Sequence, residues 1–105
     1  MTVYRSFPGL PPTAAPVAAE PVLVAVGNKY RRIMLIRLID GLEMAVVTLL
    51  HRVAESTTWT LQRIGHSVRV TEVYTPASGG MPEVKDWYWA PEEAEQWLCR
   101  EIEAV

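Results

Sequence analysis

The chain has 105 residues, half of them hydrophobic, a net charge of −2 and one cysteine, Cys99. That is one domain with enough apolar material for a core, and the lone cysteine excludes an internal disulfide. The overall acidity argues against strong nonspecific binding to nucleic acid, which depends on neutralising many phosphates.

Charge is unevenly spread. Residues 1–69 carry eight basic and four acidic side chains, and residues 70–105 carry two basic and eight acidic. Opposed halves fit internal pairing after folding, and also separate partner surfaces. The first residues lack the continuous apolar core of a signal peptide, so the expected compartment is the cytoplasm.

Residues 1–21 hold five of the eight prolines and many alanines. Proline fixes φ and donates no backbone hydrogen bond, so this segment reads as a flexible arm, with a single domain over residues 22–105 after it. Val22–Val26 is a short apolar run, either an edge strand or the lead-in to a helix.

The densest aliphatic stretch is Arg32–Val53. Leu35, Ile39, Leu42, Val46, Leu49 and Val53 recur at spacings of four and three, which predicts a helix over Gly41–Glu55. Asp40 and Glu43 have the spacing of a capping box at its start. For Tyr30–Ile39 the apolar phase continues the helix, whereas the capping box and the charges of Lys29, Arg31 and Arg32 fit a strand up to Ile39; the reading taken is helix. Arg37, Asp40 and Glu43, in the middle of the run, argue against a membrane span.

Trp59–Ile64 and the alternating Ser67–Thr75 read as strands joined at Gly65-His66. Pro76–Lys85 reads as a loop and Asp86–Trp89 as a short aromatic strand. Pro91 then opens a final helix, with Glu92 and Glu93 complementing its dipole. The expected fold is therefore α+β: a long helix in the N-terminal half, a three-stranded antiparallel meander and a C-terminal helix, in the order α-β-β-β-α.

Motifs for chemistry are absent. His51, His66 and Cys99 lack the close spacing of a zinc site. Acidic neighbours at Glu95 and Glu103 work against a thiolate at Cys99. There is no GxSxG, no phosphate-binding glycine loop and no recognisable cofactor motif, so neither an enzyme nor a cofactor is expected.

Two surfaces remain. Asp86, Trp87, Tyr88, Trp89, Glu92, Glu93 and Glu95 form a candidate acidic and aromatic interaction surface, since Trp, Tyr and Arg dominate protein-binding hot spots. Lys29, Arg31, Arg32 and Arg37 form a candidate basic patch. The expected element order resembles that of a double-stranded-RNA-binding domain in topology. Such domains place phosphate-holding lysines where this chain has Pro91, Glu92, Glu93 and Glu95, so nucleic-acid binding is the alternative rather than the leading reading. A small chain of this kind resembles, in style, accessory proteins of phages and mobile elements. Some of those present acidic surfaces to nucleic-acid-binding sites. The leading expectation is a non-enzymatic protein–protein interaction module, homodimeric through its aliphatic stripe. A third reading is a small-ligand or enzymatic domain with a pocket between sheet and helices.

Overall fold

A computed structural model of the protein describes residues 2–5, 22–38 and 41–105. Seven strands succeed one another in chain order and lie side by side in the same order. They are β1 (Thr2–Arg5), β2 (Val22–Gly27), β3 (Arg31–Leu38), β4 (Gly41–Arg52), β5 (Glu55–Ile64), β6 (Ser67–Thr75) and β7 (Glu83–Trp89). Every neighbouring pair is antiparallel. The helix α1 (Pro91–Glu103) comes last. Of the arm expected over residues 1–21, Thr2–Arg5 pair with β2 and the remainder lies outside the described residues.

The long helix of the expected fold is overturned. Gly41–Arg52 is strand β4 and Arg31–Leu38 is strand β3, so the α-β-β-β-α order and the topological likeness to a double-stranded-RNA-binding domain both fall. The three strands of the expected meander are part of a larger sheet, with β1–β4 alongside. The physical reason lies in β4. Leu42, Ala45 and Val47 are buried on one side, while Met44, Val46 and Leu50 lie on the other. A strand apolar on both faces has no clear period of two, and a stripe at spacings of three and four can be drawn through it. Leu42 and Val46 of that stripe end on opposite faces, and Val53 sits in a turn at 88% exposure. Gly41, expected at the start of a helix, begins β4 with φ of 128°, a left-handed conformation that favours glycine.

One face of the sheet carries the core. Cross-strand register aligns Val24, Leu35, Ala45, Leu61, Val70 and Trp87 in one row, and Val26, Ile33, Val47 and Trp59 in the next. The helix lays Ala94, Leu98 and Trp97 onto these rows. Trp97 stands 5.4 Å from Trp59 and 5.6 Å from Trp89 between ring centroids, and Trp89 stands 5.8 Å from Trp87. Tilted and edge-on contacts of this kind match the quadrupoles of the rings.

Two arginines of β3 tie the helix down. Arg37 makes a bidentate pair with Glu95, at 2.8 and 2.9 Å. Arg31 reaches Glu101 at 3.2 Å and donates to the carbonyl of Ala104. The Arg31–Glu101 contact lacks hydrogen-bond alignment, so its attraction is electrostatic. Glu95 near Arg37 and Glu101 near Arg31 set α1 antiparallel to β3. The helix starts one residue after β7, and its inward residues Ala94, Trp97 and Leu98 pack on the inner face.

The β4–β5 turn carries a strained residue. Ala54 has φ of 63°, the left-handed region, which costs an L-residue roughly 1–2 kcal/mol. Replacing Ala54 by glycine is expected to raise stability by about 1 kcal/mol, part of the relief being lost to the greater freedom of glycine in the unfolded chain. Urea denaturation checks this; an unchanged or lower midpoint would contradict it.

Candidate functional site

The helix covers one face of the sheet, and among the described residues nothing covers the other. Strand alternation puts Ala25, Met34, Ile36, Met44, Val46 and Leu50 on this outer face, opposite the buried Ile33, Leu35, Ala45 and Val47. Register brings them together: Ala25 pairs Met34, Met34 pairs Val46, and Ile36 pairs Met44. Met34 is 50% exposed and Leu50 39%. Towards β5–β7 the same face is mostly polar, with Thr58, Thr60, Gln62, Arg69, Thr71 and Asp86, though Val73, Val84 and Tyr88 also lie on it. There Asp86 binds Arg69 through both oxygens, at 2.6 and 3.2 Å, and accepts from Thr71. The guanidinium beside it holds the Asp86 carboxyl below the usual carboxylate range, and the same pairing raises Arg69.

The structure divides the acidic and aromatic residues among several places. Trp87 and Trp89 face inward against the core, whereas Asp86 and Tyr88 face outward. Glu95 is held by Arg37, and Glu93 accepts the backbone N–H of Ala90 at the helix start. Glu92 and Glu93 are exposed. The basic residues are divided by the same alternation. Arg31 and Arg37 turn inward to the helix, Arg32 lies on the outer face, and Lys29 sits in the β2–β3 turn with its ammonium 5.0 Å from the ring centroid of Tyr30. The pairing with Glu95 raises the Arg37 pKa above its ordinary value, against the opposing pull of burial.

Sequence reasoning missed the outer apolar patch. The signal was present: Met34, Ile36, Met44 and Val46 alternate with residues that had to be core if the segments were strands.

Sequence reasoning also missed a polar corner of the inner face, where β5 begins, β6 ends and β7 begins. Here His51 and Thr57 share a hydrogen bond of 2.7 Å, the indole N–H of Trp59 donates to Glu72 at 2.8 Å, and the hydroxyl of Tyr74 donates to Glu55 at 2.5 Å. Glu55 also pairs with Arg52 at 3.0 Å. No group of His, Cys, Asp and Glu side chains among the described residues is arranged to hold a metal ion. Cys99 is a free thiol, exposed on the helix.

The Tyr74–Glu55 bond has a pH signature. Tyr74 is raised above the ordinary phenol value by donating to Glu55, and Glu55 is lowered by accepting that bond. A raised tyrosine contributes stability that is full below the unfolded phenol pKa and lost as pH rises through the folded value. A depressed carboxylate contributes stability present above its unfolded pKa and lost as pH falls through the folded one. The bond therefore stabilises across the neutral range. Tyr74→Phe is expected to lower the melting temperature at pH 7, with the gap to the native protein narrowing above about pH 10. A gap independent of pH would contradict this.

Among the described residues, no helix is long and apolar enough to cross a membrane. Comparison with family models, with curated proteins and with solved structures finds no match to this chain.

Proposed function

We propose that the protein is a non-enzymatic protein–protein interaction module whose binding face is the outer side of β2–β4 and whose first partner is a second copy of itself. The observation that carries this reading is the contiguous Met34, Ile36, Met44 and Val46 patch on a sheet whose helix packs on the other face. An antiparallel sheet with one face in water usually carries polar residues there. A contiguous apolar patch marks a contact surface, and methionine adapts its shape to a partner.

A second copy fits for a reason of charge. A two-fold interface presents the same patch to itself, so any charge at its centre meets its like. The centre of this patch is uncharged. Arg32 stands at its rim, and on the far side Arg69 is neutralised by Asp86. Two such sheets can pack face to face at about 10 Å, interdigitating their side chains. This replaces the helical stripe as the basis for a dimer. The alternative of nucleic-acid binding through the basic residues is less well supported, because Arg31 and Arg37 already serve the helix.

Light scattering across a dilution series tests the proposal. The expected mass is twice 11.8 kDa, falling towards one chain on dilution. A mass of one chain at every concentration would overturn it.

A further inference from the structure

We infer that the open corner of the inner face is a binding site for a small organic cation, an ammonium or guanidinium group carried on a short apolar stem. The C-terminal half of α1 is held to Arg31 on β3, and the corner opens where β5 begins, β6 ends and β7 begins. The opening has a volume of 350 Å³, and its walls include His51, Thr57, Trp59, Glu72, Tyr74 and Lys85. That is the lower end of the range for small-molecule pockets, about 300–1,000 Å³, so it suits a ligand of a few carbons rather than a large one.

The chemistry comes from Glu72. It is half-buried, faces into the corner, and has one hydrogen bond there, from the neutral indole of Trp59. Three other glutamates on this side of the sheet each have an arginine: Glu55 has Arg52, Glu95 has Arg37, and Glu101 has Arg31. Glu72 forms no ion pair among the described residues: Lys85, its register partner on β7, is exposed and does not close to it. Removing a carboxylate from water without a paired counter-charge is costly, and an entering cation can make the pair that Lys85 does not.

The walls fit the same guest. Trp59 and Tyr74 line the opening with aromatic rings, a type of side chain that attracts ammonium and guanidinium groups. Thr57 and His51 are occupied by each other, so they shape the wall. At the mouth, Glu83 adds a second carboxylate and Lys85 one positive charge, both exposed. With Glu72 and Glu83 against Lys85, the corner carries one net negative charge, which favours a cation over an anion. The site lies on the opposite face from the proposed dimer contact, so either can fail without the other.

The test is a titration of uniformly ¹⁵N-labelled protein with n-butylammonium and n-butylguanidinium, with n-butanol as the uncharged control. The indole N–H of Trp59, identified by its loss in Trp59→Phe, is the reporter. Both cations are expected to shift this resonance saturably and n-butanol to leave it in place. Glu72→Gln keeps an acceptor for Trp59, so it should preserve the spectrum of the free protein while weakening the cations by about tenfold or more. Equal shifts from n-butanol, no shift from either cation, or undiminished binding by a folded Glu72→Gln protein would each overturn the inference. The comparison of cation with alcohol uses the native protein, so it stands even where the substitution impairs folding.

Discussion

Val47→Asp is expected to unfold the protein, whereas Val46→Asp should leave it folded and monomeric. The two residues are neighbours of equal size, and a helical reading of the segment makes Val46 the core residue. In the sheet the roles are reversed. Val47 has no exposed surface, and its register partners are Ile33 on β3 and Trp59 on β5. A carboxylate there has no cation to pair with, since the surrounding residues are Ile33, Leu35, Ala45 and Leu61. Burying an unpaired charge and losing the valine together cost about 4 kcal/mol or more, a large part of the stability of a small domain. Val46 lies on the outer face between Met34 and Thr60. A charge in that position remains hydrated in a single copy, with a stability change of about 1 kcal/mol or less. In a face-to-face pair it would meet its own image. Circular dichroism and denaturation measure the first effect, and light scattering the second. A Val46→Asp protein less stable than Val47→Asp would contradict the architecture.

The second large effect concerns the helix. Leu98→Ala is expected to cost about 2–5 kcal/mol, because Leu98 is wholly buried and its removal leaves a cavity between α1 and the sheet. Nearby, Trp97 joins Trp59 to Trp89, so a loosened helix also loses the ring contacts along that chain. The Arg37–Glu95 and Arg31–Glu101 pairs hold the helix at two points on β3 but lie partly in solvent, so they fix its direction more than they stabilise it. Denaturant unfolding, with tryptophan fluorescence as a second probe, should show the loss. A change below about 1 kcal/mol would mean that the helix is not seated as described.

The later half of the fold was legible in the sequence and the earlier half was not, for reasons that lie in particular residues. In β6, Val68 and Val70 are buried while Arg69 is exposed, so the alternation announces the strand. The Gly65-His66 pair supplies a hairpin turn, with positive φ at the glycine. Pro91 with Glu92 and Glu93 marks the helix start. In β3 and β4 the alternation is hidden, because Met34, Ile36, Met44 and Val46 are as apolar as the core residues between them. Asp40 and Glu43 imitated a capping box, whereas Asp-Gly ahead of a run containing Val46, Val47 and Thr48 is also a strong hairpin signal. The feature that disguises the strand is the feature that suggests function: β4 is apolar twice over, once for its own core and once for a partner.

The candidate site was legible only in fragments. Alternation in a strand puts Trp87 and Trp89 on one face, but whether that face is core depends on where α1 packs. The separation of Arg31 and Arg37 from Arg32 comes from strand alternation, which a helical reading of Tyr30–Ile39 conceals. The polar corner at Glu72 depends on where the helix comes to rest on the sheet, which no local pattern encodes.

The most direct test is an isotope-filtered NOE experiment on mixed labelled and unlabelled protein. The expected result is a set of intermolecular contacts among the methyl groups of Met34, Ile36, Met44 and Val46. Intermolecular contacts confined to β7 or α1, or none at concentrations where the chain is well above any micromolar dissociation constant, would contradict the claim that the outer face of β2–β4 joins two copies.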